Sequence, residues 1–274
     1  MIDSQGREVS ATGVMVRCLM RSGLSQEAAE AKWHELSTRV DTEEPTLEGK
    51  ELGNAFDYDP DDVDAQALLL RTGLRAVGLR PVHDDMTFSS YIPATTEQKA
   101  ALALCRNSAK TIGELPGLVL VGKTGTGKTH LVVSLLRSLL ETEQERQHGG
   151  LSMRRSAEAY MFTSVLELLH GVRSSYRGDV TNPTERAMEA RVLVLDDLGR
   201  ENVTDWTFDE LMLVIQRRYD ELKPTFITAN MRTADALHTR YGDTFVSRFM
   251  DEKIYELVPV DGPDHRMETT KEKA

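Results

Sequence analysis

From Gly117 onwards the chain alternates short apolar runs with amphipathic stretches. Leu118-Val119-Leu120-Val121 has strand length, and Leu131, Val132, Leu135, Leu136, Leu139 and Leu140 then recur at helical spacing. The beat repeats. Ala159 to Thr163 reads as a strand and Ser164 to Arg177 as a helix, Arg191 to Leu195 is a further strand, and Asp205 to Leu222 is a long helix with Leu211, Leu213, Val214 and Ile215 in its interior. Thr225-Phe226-Ile227-Thr228 and Tyr255 to Val260 complete the strands. Uninterrupted apolar runs suit strands covered on both faces, so the pattern predicts an α/β fold, a five-stranded parallel sheet flanked by helices.

The first part of the chain is patterned differently. Val14, Met15, Cys18 and Leu19 share one helical face, and Ser25 precedes a second apolar set of Ala28, Ala29, Trp33 and Leu36. Two acidic stretches follow, Asp41 to Glu51 around Pro45 and Asp57 to Asp64 around Pro60, which read as a solvated linker. The expected organisation is a small helical N-terminal module with its linker over 1–75, an α/β core over 76–260 and a short tail over 261–274.

Composition narrows the choice of function. With 274 residues, 40% of them hydrophobic, the chain can build a packed core and is neither fibrous nor wholly disordered. The two cysteines, Cys18 and Cys105, stand far apart and the seven histidines are scattered, which fits no disulfide framework or zinc site and points to a reducing compartment. No apolar run approaches the ~20 residues of a membrane helix, so a cytoplasmic protein is expected, with no membrane partner. The net charge of −11 argues against a surface that binds nucleic acid throughout. Residues 1–115 hold 12 basic and 19 acidic side chains, so most of the excess lies ahead of the core, and any contact with DNA must be local.

The most specific signal is Gly122-Lys123-Thr124-Gly125-Thr126-Gly127-Lys128-Thr129, a G-x4-G-K-[ST] motif set between a strand and a helix. Glycines let the backbone fold around a phosphate and turn N–H groups inward, the helix N-terminus adds a favourable dipole, and Lys128 reaches the β- and γ-phosphates. Thr129 is the expected Mg²⁺ ligand, and His130 joins these residues as a nucleotide-binding candidate. The third strand ends in Asp196-Asp197. Asp196 would hold the Mg²⁺, directly or through water, and Asp197 would polarise the attacking water, although one methylene shorter than the Glu common at this position. Asn230, at the end of the fourth strand, falls on the same sheet edge and is placed to orient that water. ATP and Mg²⁺ are the expected ligands.

Together these elements resemble the AAA+ ATPases, and most of all the DnaC and IstB branch. In that family the strand-end Asn, here Asn230, is the first sensor, and a later helix carries Ser-Arg-Phe or Ser-Arg-Leu, here Ser247-Arg248-Phe249 after Tyr241-Gly242-Asp243. The resemblance implies that Arg248 is an arginine finger offered to the nucleotide of a neighbouring subunit in a homo-oligomer. Gly199, Arg217-Arg218 and Pro224-Thr225 also resemble the family, and the run Gly78 to Tyr91, with Gln98 and Ala101 to Arg106, resembles the lead-in to the core of DnaC-type loaders. Thr244 departs from members that carry an additional Arg, and no C-terminal helical lid is expected.

The function implied is an ATPase, slow alone and stimulated by single-stranded DNA, that delivers a hexameric replicative helicase onto DNA. A transposition helper of the IstB kind and a nucleotide-gated adaptor with little turnover are the alternatives. By the same resemblance the N-terminal module would grip the helicase, with Met15, Leu19, Trp33 and Leu36 as anchor candidates that serve equally well as the module's own core. Arg173, Ser174, Ser175, Tyr176 and Arg177 are candidates for single-strand binding, since Arg pairs with phosphates and Tyr stacks on bases without reading sequence. A solvated helix end accounts for the same five residues as well. Arg154 and Arg155 are weaker candidates, and Arg266 carries no assigned role.

Overall fold

The structure is a computed structural model that describes residues 63–110, 117–146, 159–175, 182–231, 234–249, 251 and 254–265, together with Glu27 and Ala31. Met15, Leu19, Trp33, Leu36, Tyr176 and Arg177 lie outside the described residues. The chain divides into two units, one of residues 1–73 and 143–155, the other of 74–142 and 156–274. In the first, the described chain is mainly helical, including the start of α1 (Val63–Ala76). The second holds the sheet.

Its elements run α2 (Thr96–Lys110), β1 (Gly117–Val121), α3 (Lys128–Arg146), β2 (Tyr160–Ser164), α4 (Val165–Ser175), α5 (Pro183–Glu189), β3 (Val192–Leu198), α6 (Asp205–Asp220), β4 (Thr225–Ala229), α7 (Ala234–Phe249) and β5 (Glu256–Pro259). Several helices start where local chemistry tells them to. Thr95 and Gln98 form a reciprocal cap at α2, Ser164 and Glu167 do the same at α4, and Thr204 and Thr207 at α6. Asn182 caps α5 ahead of Pro183.

The five strands are all parallel in the order β2-β3-β4-β1-β5, as the apolar runs predict. Every residue of β1 and of β4 is buried, because helices cover both faces. Leu213 departs from expectation, being 52% exposed on the outer side of α6. One irregularity sits where it matters. β3 and β4 run in register to Leu195 opposite Ile227, then resume at Leu198 opposite Ala229, so β3 carries an extra residue at Asp196-Asp197. Such a bulge turns side chains that a regular strand would send elsewhere. Asp197 accordingly has φ 61°, in the left-handed region.

Candidate nucleotide site

β1 delivers the chain to Gly122, and the loop to Thr129 closes onto the N-terminus of α3. Gly125 and Gly127 have φ of 83° and 91°, which favour glycine, and a Cβ on Gly127 would stand 2.5 Å from the Tyr91 ring. Lys128 is buried and lies along the loop, its Nζ donating to the carbonyls of Gly122 at 3.0 Å and Lys123 at 2.6 Å. The loop is braced from outside. Tyr91 and Gln98 both donate to the Thr126 carbonyl, at 3.3 and 3.1 Å, and the His265 N–H donates to the Gly125 carbonyl at 3.1 Å.

The carboxylates arrive from β3. Thr129 Oγ1 donates to Asp196 Oδ1 at 2.9 Å, and Thr228 Oγ1 on β4 donates to the same oxygen at 2.7 Å. Burial raises the Asp196 carboxyl above its ordinary range, against the pull of the Thr228 hydroxyl, with the neighbouring Asp197 charge adding to the rise. Asp197 is held by its backbone N–H to Thr228 Oγ1 at 2.9 Å, by Asn230 Nδ2 to Oδ1 at 2.8 Å and by Arg200 Nη1 to Oδ2 at 2.8 Å. The residues singled out by sequence at or beyond the ends of three different strands therefore meet at one sheet edge. The donor set fits the expected ligands: a buried ammonium and inward glycine-rich backbone for phosphate, a hydroxyl and a carboxylate for a hard cation such as Mg²⁺.

His130 engages the lead-in segment. Its Nε2 donates to the Thr87 carbonyl at 2.9 Å, its ring meets Tyr91 edge-on at 5.2 Å, and burial lowers its pKa. A cavity of about 490 Å³ beside the loop is lined by Thr95, Glu97, Gly122, Lys123, Asp261 and Gly262, among others. Arg248, on α7, packs against α6 instead, its Nε donating to Gln216 Oε1 at 2.7 Å. Arg173 lies over the Trp206 ring at 4.5 Å, and the Ser174 and Ser175 hydroxyls bond back to carbonyls of their own helix.

Two residues of the site stand outside the sequence motifs: Thr228, which ties Asp196 to Asp197, and Glu201, a buried carboxylate that accepts from the Gly199 N–H at 3.0 Å and from the Tyr241 hydroxyl. A Thr one residue before Ala-Asn at a strand end was the available sign for the first. Nothing in the sequence around Glu201 marked the second.

A five-stranded parallel sheet with a phosphate loop leaving β1, and with β4 between β1 and the carboxylate strand, defines a P-loop nucleoside triphosphatase of the AAA+ kind. The family of IstB-like ATP binding proteins matches residues 70–273, and the chain belongs to that family. Its relatives include the replicative helicase loader DnaI of Bacillus subtilis, 28% identical over 56% of this chain and 49% of that protein. The replicative helicase loader DnaC of Escherichia coli is 20% identical over 60% and 63%, and an IS21-like putative ATP-binding protein of Bacteroides fragilis is 25% identical over 58% and 56%. The matches thus span between about half and two thirds of each of these proteins. Among solved structures, a DnaC helicase loader superposes with a TM-score of 0.55 at 28% identity, covering 66% of this chain and 100% of that one. A DnaI structure at 20% identity shares the fold, with a TM-score of 0.54 over 69% and 95%. Among the described residues no helix is long and apolar enough to cross a membrane.

Proposed function

We propose that this protein is an ATP-dependent loader that delivers a hexameric replicative helicase onto single-stranded DNA. The observation that carries the reading is the joined site, in which Thr129 of the phosphate loop and Thr228 of β4 share one oxygen of Asp196 while Asn230 holds Asp197. Lys128 and the loop N–H groups bind the phosphates, Thr129 and Asp196 hold the Mg²⁺, and Asp197, steadied by Asn230, takes the proton of the attacking water. Bound Mg²⁺ supplies charge neutralisation at the transferring phosphate.

Arg248 serves the site of a neighbouring subunit, a role drawn from the family resemblance; in its own chain it packs against Gln216 and Tyr219 of α6. Arg173 to Arg177 form the single-strand contact, and the N-terminal module grips the helicase. The loader reading draws support from the likeness to a DnaC helicase loader, which covers the whole of that chain. The test mixes the full chain with the hexameric helicase of its host and circular single-stranded DNA. ATP-dependent transfer of helicase to the circle is expected, abolished in Lys128→Ala, and failure to bind the helicase at all refutes the reading.

The family match and the IS21-like relative favour a second reading, a transposition helper with the same ATPase site. It predicts a complex with a transposase in place of the helicase.

A further inference from the structure

α7 is not one helix. At Gly242 the backbone leaves helical values for φ 77°, ψ 171°, a conformation essentially confined to glycine. A Cβ there would meet nothing within 4 Å, so this glycine is required by the course of the chain and not by lack of room. Open space beside a conformation only glycine tolerates points to a direction that the fold must keep.

The two pieces touch across the break, Tyr241 stacking on Phe245 at 4.6 Å and His238 Nδ1 lying 3.0 Å from Asp243 Oδ1, and each has its own anchor elsewhere. Before the break, Tyr241 donates its hydroxyl to Glu201 Oε1, Arg240 Nη2 donates to the Glu201 carbonyl, and Arg240 Nε stands 3.7 Å from the same carboxylate oxygen. Glu201 is buried and lies in the loop that leaves Asp197. After the break, the chain carries Arg248 against α6. Its Nε donates to Gln216 Oε1 at 2.7 Å, its Nη1 to Ser247 Oγ at 3.0 Å, and its guanidinium lies 5.5 Å from the Tyr219 ring centre. Gln216 is itself oriented, because its amide nitrogen donates to Asp220 Oδ1 at 2.7 Å and so turns the carbonyl oxygen towards Arg248. The Tyr219 ring is fixed by its hydroxyl donating to Asp251 Oδ2 at 2.7 Å. A guanidinium gripped through Nε and Nη1 and backed on one face by a ring has a set plane.

We propose that α7 is a two-piece arm that aims Arg248: the Glu201 anchor and the Gly242 break set the course of the second piece, and Gln216 sets the plane of the guanidinium. Gly242 and Gln216 are thus positioning residues for hydrolysis in the adjacent subunit, which rests on the reading of Arg248 as a group acting in trans. The arrangement also ties the arm to the carboxylate strand of its own subunit through Glu201.

The experiment measures ATP turnover per subunit of the full chain against protein concentration, with and without a single-stranded oligonucleotide. The unaltered protein should gain turnover as concentration rises, and Arg248→Ala should lose that gain. Gln216→Met and Gly242→Ala should each lower the kcat of the concentration-dependent reaction on the order of 10- to 100-fold, with KM for ATP unchanged, because a misaimed group loses rate and not substrate affinity. Adding Lys128→Ala protein, which has an intact arm and no working phosphate loop, should restore turnover to Gln216→Met. A purely structural defect in Gln216→Met would not be repaired by a neighbour. Should Gly242→Ala not fold, Gln216→Met and its rescue decide the matter. If Arg248→Ala keeps the gain, or the unaltered chain shows none, the trans reading falls and the arm with it. If Arg248→Ala loses the gain while Gln216→Met and Gly242→Ala turn over normally, only the arm is wrong.

Discussion

Replacing Asp196 with Asn should make the nucleotide-free protein more stable and the site useless. Asp196 is 7% exposed, and both hydroxyls that reach it end on Oδ1, so the oxygen of Asn can accept the same two bonds at 2.9 and 2.7 Å. What the substitution removes is a buried negative charge beside Asp197. Burial raises the carboxyl, so its folded pKa lies above its unfolded one. Between those two values the folded chain holds a proton that the unfolded chain has released, and stability therefore declines as pH rises through that window. Above it the penalty is constant, and below it the penalty is absent. Asp196→Asn escapes it, with an expected gain of about 0.5–2 kcal/mol at neutral pH. For a domain of this size each kcal/mol moves Tm by roughly 2–4 °C. The gain should shrink towards zero as pH falls to the unfolded carboxylate range. Calorimetric unfolding of both proteins between pH 4 and 8, with and without Mg-ATP, checks both halves of the argument. The unaltered protein should gain Tm from Mg-ATP and the variant should gain little. A variant less stable than the parent at neutral pH without nucleotide, or one stabilised equally by Mg-ATP, refutes the reasoning.

Arg218 offers a purely structural test. Fully buried, it donates to the carbonyls of Ala187, Ala190 and Pro224 at 2.8, 2.6 and 2.6 Å and to Thr225 Oγ1 at 2.8 Å, joining the end of α5 to the start of β4. Arg218→Ala removes all four of these bonds and should cost about 3–5 kcal/mol in chemical denaturation, with Arg218→Lys recovering part of it. Asp197→Asn should keep ATP affinity while lowering single-turnover hydrolysis on the order of 10²–10⁴-fold, as expected for loss of a general base.

The fold was legible because its signals are local and repeated. Each of β1 to β4 is built on a short apolar run, and β5 lies within the apolar stretch Tyr255 to Val260. The phosphate loop was legible for the same reason, its glycines, Lys128 and Thr129 being contiguous. Asp196, Asp197 and Asn230 could be named from strand ends because a parallel sheet brings those ends to one edge. What escaped depends on lateral contacts. Thr228 matters only because β4 lies beside β3, and the bulge that turns Asp197 exists only in the pairing of those strands. Glu201 meets Arg240 and Tyr241 across a long interval of chain, and the exposure of Leu213 reflects which face of α6 the sheet covers. Arg173 shows the converse. Its guanidinium lies over the Trp206 ring of a neighbouring helix, a contact invisible from either segment alone that leaves the single-strand proposal for this strip to experiment.

Everything proposed for the site requires that Gly122 to Thr129 bind a nucleoside triphosphate through the buried Lys128 ammonium. Calorimetric titration of ATP with Mg²⁺ into the full chain and into Lys128→Ala tests it most directly. Saturable, Mg²⁺-dependent binding is expected for the unaltered protein and a loss on the order of 10²-fold or more for the variant, the cost of removing a buried cation from a charge pair. Equal affinity in the two proteins would contradict it.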